Sequence, residues 1–448
     1  MAKYAHFPII PYLHFKIISM KKYFLLQLLF CWSVSMILGQ TIYLHCGQVI
    51  DGQSNNVQQE KTIIVENGLI KAIHNGYTEV PDTAIGIDLK NKTISPGWMD
   101  MHVHMEGEIG PNRYEEAFRM NDVDMALRAT IYARKTLMAG FTTVRDLGGT
   151  GVNVALRNAI NKGYVVGPRI FTCEKSIATT GGHADPTNGV RDDLKGDPGP
   201  KEGVINGVED AYKAIRQRYK NGADVIKITA TGGVLSVAKD GQGPQFTVEE
   251  IKAIVTAAND YGMVTAAHAH GAEGMRRAVI GGIHSIEHGT FMDDEVRKLM
   301  LEHGTYLVPT LSAGESVLQK VKENPRLFPA VILPKIYSTG RNGRAAFRKA
   351  YEAGVNIAFG TDAAVSPHGD NAKEFIYMTE EGMPAMKAIQ CATMNAATLL
   401  HIEDTHGSIE VGKVADIIAL DENPIDNIEA VLTVSFVMKD GVIYKKEK

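Results

Sequence analysis

Cysteine is scarce, with only four in 448 residues. Cys31 lies in an N-terminal leader, and Cys46, Cys173 and Cys391 form an odd set with no short spacing, which excludes a disulfide framework and a cysteine zinc ribbon. Charge is muted as well: the net charge of -4 becomes -8 once the leader's Lys3, Lys16, Lys21 and Lys22 are set aside, with no acidic residue before position 40. No basic patch points to nucleic acid, so none is expected as a partner. No internal repeat is visible, and no run beyond the leader is long enough to span a membrane. Apolar residues at 44% and charged residues at 22% argue against extensive disorder. The length favours one large domain with a smaller one attached.

Residues 1–40 read as a secretory leader. Met20-Lys21-Lys22 supplies a basic start, 23–38 a short apolar run, and cleavage is expected near Gly39 or Gln40. Met20 looks like the natural start, which makes 1–19 an over-called extension. The competing reading is an uncleaved anchor, for which the run is short. Phe30 is too bulky to precede a lipidated Cys31. The mature protein is therefore expected in the periplasm or outside the cell, without stable membrane insertion.

From residue 93 onward, β-rich runs alternate with helical patterns, the mark of successive β-α units and a parallel sheet. The expected strands are 93–104, 141–146, 169–176, 224–230, 263–268, 283–288, 305–310 and 356–361. Eight units spell an α/β fold, a (β/α)8 TIM barrel over 93–402, with catalytic side chains at the C-terminal strand ends. Residues 41–92 and 403–448 have a different, turn-rich β texture and are expected to pair into one small β-sandwich. The Gly-, Pro- and Asp-rich stretch 180–207 reads as a long loop over the active site.

Metal-binding side chains recur where those strands end. His102 and His104 share one face of the first strand because side chains alternate. Lys227 sits in the buried pattern Asp224-Val225-Ile226-Lys227-Ile228-Thr229, where an uncompensated ammonium is costly. One reading pairs it with a carboxylate. The other is a lysine neutral enough to react with carbon dioxide, giving a carbamate that can bridge two cations. His268 and His288 end the fifth and sixth strands, and His270 is a rival ligand, a substrate contact or a support one step into the loop. Asp362 ends the eighth, where a carboxylate can bind a metal and take a proton from water. Metal ions lower the pKa of water toward neutrality, so hydrolysis is the expected chemistry.

In order and position these residues resemble the amidohydrolase superfamily over nearly the whole mature chain. Pro96-Gly97-Trp98-Met99-Asp100-Met101-His102-Val103-His104 opens the pattern, and Gly412-Lys413-Val414-Ala415-Asp416-Ile417 looks like its closing segment. Gly181-Gly182-His183-Ala184-Asp185, His268-Ala269-His270-Gly271 and Glu287-His288-Gly289-Thr290 are similar to the imidazolonepropionase-related branch that holds Xaa-Pro dipeptidases, carboxypeptidases and ochratoxin amidases. Lys227 points away from the single-metal members.

The resemblance implies two divalent ions, zinc being expected. His102, His104 and Asp362 would hold one and His268 and His288 the other, with N6-carboxylated Lys227 and a hydroxide between them. It implies Asp362 as proton carrier and His183 as a contact to substrate carboxylate or oxyanion, although a loop histidine capping a turn fits His183 equally. Arg276 could grip a C-terminal carboxylate or pair with a surface acid. The expected substrate is a dipeptide, an Xaa-Pro peptide or an N-acyl amino acid. Alternatives are a broad amidase for compounds such as ochratoxin, and a lactone or cyclic-amide hydrolase. A non-enzymatic metal-binding barrel fits poorly with so complete a ligand set. A homo-oligomer is expected by analogy.

Overall fold

The computed structural model describes residues 40–237 and 241–447. The expected leader, with Met20 and Cys31, lies outside the described residues apart from Gln40. Four strands open the chain: β1 (Ile42–Val49), β2 (Gln58–Glu66), β3 (Leu69–Asn75) and β4 (Ile85–Pro96). β1 alternates buried with half-buried side chains, as a strand with one face on a core does.

Four of the next seven strands behave differently. β5 (Trp98–Val103), β6 (Phe141–Asp146), β8 (Val225–Thr229) and β9 (Val264–Ala269) are buried at every position, as parallel strands covered on both faces are. β7 (Arg169–Thr172), β10 (Ser285–His288) and β11 (Tyr306–Val308) complete two parallel arcs, β5-β6-β7 and β8-β9-β10-β11. Ile177 joins the arcs by pairing with Ile228.

Residues 356–361, expected to be a regular eighth strand, instead form, with Asp362 and Ala363, a segment bonded on both sides without a continuous ladder. The Leu307 amide donates to Asn356 O at 2.8 Å, and the Asp362 amide donates to His102 O at 2.8 Å. These bonds close the ring of eight.

One expectation needs correction. The run 93–104 is two strands, because Gly97 lets the chain turn from β4 into β5; any Cβ there would collide with the Thr142 side chain. As expected, the two end segments come together, in one hydrogen-bonded order of seven strands. β12 (Ile417–Leu420), β13 (Val434–Lys439) and β14 (Val442–Lys446) extend the order β14-β13-β12-β4-β1-β2-β3. Leu44, Ile63, Ile87, Ile417 and Phe436 from both chain ends share one core. Residues 41–448 form a single compact unit.

One buried carboxylate stands between helices. The helix Leu311–Glu323 has no cap from its own Thr310 side chain; Glu374 accepts from the amides of Leu311 (2.8 Å) and Ser312 (2.6 Å) and from the Ser312 hydroxyl (2.6 Å). Burial pushes the Glu374 carboxyl up to about 7 against the pull of those donors. The folded protein therefore holds this proton more tightly than the unfolded chain. Its contribution is full below the unfolded value of 4.5 and is lost as pH rises toward about 7. Unfolding titrations should show the wild type losing on the order of 3 kcal/mol across that window relative to Glu374→Gln. Parallel curves for the two proteins would remove Glu374 as the source.

Candidate metal centre and substrate cavity

The six expected ligands, His102, His104, Lys227, His268, His288 and Asp362, all line one cavity of about 560 Å3. Ligand atoms of His102, His288 and Asp362 lie within 4.8 Å of one another. Asp362 Oδ1 is also 3.4 Å from His104 Nε2 and 3.6 Å from His102 Nε2. Two imidazoles and a carboxylate converging like this are a donor set suited to a divalent cation.

The supports of the histidines fix which nitrogen faces the site. His102 Nδ1 donates to Glu287 Oε2 at 2.9 Å and His104 Nδ1 to Gly148 O at 2.9 Å. These partners only accept, so each Nε2 is left bare for a metal. His288 Nδ1 bonds to the Thr310 hydroxyl at 2.7 Å. His268 is arranged oppositely, with Nε2 donating to Gly232 O at 3.1 Å and Nδ1 left bare. Burial holds His102 down at about 4 and His268 and His288 well below the usual imidazole range, so all three are neutral at pH 7. Neutral imidazole is the metal-binding form.

The backbone is bent where these groups meet. His288, Thr310 and Asp362 have φ of 72, 52 and 56°, in the left-handed region. For β-branched Thr310 that is a genuine outlier. Such conformations persist where surrounding bonds over-determine them, commonly at functional sites.

Beneath the histidines lies a charged group that motif spacing did not reveal as functional. Glu287 is fully buried and accepts from Arg145 Nη2 at 2.9 Å, the Ser285 hydroxyl at 2.6 Å and His102. Burial alone raises its pKa, but the Arg145 and His102 contacts outweigh this and hold it at about 2. Asp100 is a second such group. It accepts from the His102 amide at 3.0 Å, the Thr361 hydroxyl at 2.6 Å and Asn371 Nδ2 at 2.7 Å, tying the first strand to the closing segment. Lys227 is buried in the same pocket, and burial lowers its pKa despite nearby Glu287 and Asp362. That fits an amine able to react.

The expected substrate contacts divide. His183 lies in the cavity wall, stacked on His268 with ring centroids 4.3 Å apart. Its Nδ1 is buried without a hydrogen-bond partner, and burial lowers its pKa to about 3. Gly233 passes so close to that ring that no Cβ fits there. His270 also lines the cavity, with Nδ1 2.8 Å from the Thr290 hydroxyl.

Arg276 does not reach the cavity. It sits on the outward side of the helix Ala272–Ile280, bonded to Glu273 (2.6 Å), Glu295 (3.0 Å) and Asp293 (3.2 Å). The alternative of surface pairing holds. Arg276→Ala should leave kcat/KM within about twofold and stability within roughly 0.5 kcal/mol; a tenfold rise in KM would return it to the site.

Away from the metal-binding end, Met120, Met125, Val234, Leu235 and Ile336 give the cavity an apolar wall. The loop 180–207 reaches it through His183 and Ala184.

The amidohydrolase family matches residues 93–444. The chain belongs to the amidohydrolase family. This amidohydrolase is accordingly a hydrolase of amide C–N bonds. It is similar to a crystallised Xaa-Pro dipeptidase with methionine bound in its active site, at 54% identity and TM-score 0.88, covering 91% of this chain and all of that one. A crystallised prolidase complexed with N-methylphosphonate-L-proline is 31% identical with TM-score 0.82, over 91% of this chain and all of the other. The ochratoxinase of Aspergillus niger is 33% identical over 374 residues, 79% of this chain and 75% of its own.

Proposed function

We propose that this amidohydrolase cleaves an amide next to a carboxylate, in a dipeptide, an Xaa-Pro peptide or an N-acyl amino acid, at a pair of divalent ions. The observation that carries this is the convergence of four histidines, one carboxylate and one buried lysine on a single cavity. His102, His104 and Asp362 would hold one ion and His268 and His288 the other. The Lys227 amine would add carbon dioxide and release a proton, and the carbamate oxygens would serve as further donors to both ions. Zinc suits such nitrogen and oxygen donors. When bound, the ions supply Lewis acidity and a water that loses its proton near neutral pH.

The protein's own groups then move the proton. Asp362 accepts the proton of the attacking water and delivers it to the leaving nitrogen as the C–N bond breaks. His183 and His270, both held neutral by burial, offer ring nitrogens to the substrate carboxylate or to the oxygen that gains charge. The strained backbones of His288 and Asp362 keep the ligands placed before substrate arrives.

A second substrate class draws support from the apolar wall and from the A. niger ochratoxinase: bulky N-acyl amino acids such as ochratoxin. The leader pattern favours a periplasmic or secreted site of action, and an oligomeric state accords with the family. Metal analysis of purified protein should return about two divalent ions per chain, and a value near one sinks the bridged pair. Turnover of Xaa-Pro and other dipeptides, N-acyl amino acids and ochratoxin, measured side by side, assigns the substrate; no turnover of any amide would shift the choice to a lactone.

A further inference from the structure

The helix Asp122–Met138 turns a strongly apolar stripe outward. Val123, Leu127 and Ile131 are 69, 66 and 57% exposed, and their four-residue spacing puts them in one row. Phe118, at the end of the helix Arg113–Arg119, is 64% exposed beside the start of that row. The inward face carries mainly small residues, Ala129, Ala133 and Thr136, with Leu137. Large side chains outside and small ones inside reverse the usual order for a surface helix. A contiguous row of this kind marks an interaction surface.

We propose that this stripe is where two copies of the chain pack, with the two helices antiparallel about a two-fold axis. The charges along the row select that occupant. Exposed Asp122 and Asp124 lie in the helix's first turn, and exposed Arg134 and Lys135 lie near its end. An axis at the level of Ala129 sets Leu127 against Ile131 of the other copy and Asp124 against Arg134, with Val123 beside Lys135. Every residue is then matched from both sides, which is the requirement of an isologous contact. A lipid surface fits less well, because the acidic turn would face anionic headgroups. The same helix sends Met125 and Arg128 into the cavity wall, so the contact backs the substrate site. It does not depend on which amide is cleaved.

Sedimentation of the purified protein at micromolar concentration tests this. An even-numbered assembly is expected, and L127E/I131E should have about half its mass or less. R134E/K135E and D122K/D124K should each dissociate alone at low salt, and an equal mixture of the two should regain the wild-type mass, because opposite charges then meet at both ends. The second of these loses the Asn121–Asp124 cap, so R134E/K135E carries its own control: raising salt to about 1 M screens the repulsion and should restore association. A monomeric wild type overturns the proposal, with or without binding to phosphatidylglycerol vesicles. So does wild-type mass in L127E/I131E, or a mixture that stays dissociated.

Discussion

Asp362→Asn is expected to lower kcat by roughly 10^2- to 10^4-fold, the range for losing a positioned proton carrier. The amide keeps an oxygen donor where the carboxylate Oδ1 lies, 3.4 Å from His104 Nε2, but it cannot take a proton from water. The folded state already favours ionised Asp362. Burial raises its pKa, and the His102 and His104 contacts overcome that and bring it below the ordinary aspartate value. Metal content is the accompanying measurement. A variant that keeps its ions while kcat collapses isolates proton transfer from ligation, whereas kcat within tenfold of wild type ends the assignment. Lys227→Ala separates differently: ion content and activity should fall together, and full activity there removes the carbamate.

Glu287→Ala is expected to destabilise the protein by about 3–5 kcal/mol, the cost of stranding a buried charge. Arg145 is wholly buried; its Nε donates to Met101 O at 2.7 Å and its Nη1 to the Ser285 hydroxyl at 3.1 Å, and among the described residues Glu287 is the carboxylate ion-paired to it. Replacing both partners, as in Glu287→Leu with Arg145→Met, should recover much of the loss, because two apolar side chains leave no orphaned charge. Chemical denaturation of the single and double variants decides the matter. A loss below about 1 kcal/mol in Glu287→Ala would show that water or rearrangement reaches Arg145. The single variant should also bind metal more weakly, since the carboxylate that orients His102 is gone.

The six residues that meet in the cavity were readable because each ends a short apolar run, a local pattern that needs no knowledge of distant partners. Glu287 was within reach of the same logic. It lies between Ile286 and His288 in one buried strand, while Arg145 lies in another, Phe141-Thr142-Thr143-Val144-Arg145-Asp146. Two opposite charges in fully buried runs have to meet. Arg276 was ambiguous because helical spacing alone does not say which side of a helix faces the cavity. The split of 93–104 depends on the crowding of Gly97 by Thr142, and the Glu374 cap on a chain contact far along the sequence. Neither leaves a local trace. The closing segment was found as a β-rich run, but its irregular bonding follows from neighbours on both sides of the ring.

That closing segment has a consequence for how the protein is made. Asp362 sits in the last stretch to enter the ring and bonds through its amide to His102 in the first, with Asp100 gripping Thr361 beside it. A chain still emerging from the ribosome has His102 early but cannot present the complete cation site until residue 362 has joined it. Ion capture therefore comes after ring closure, and it stabilises the closed form by mass action. Amide exchange at Asp362 would slow when ions are added, making the seam a gauge of whether a molecule has finished maturing.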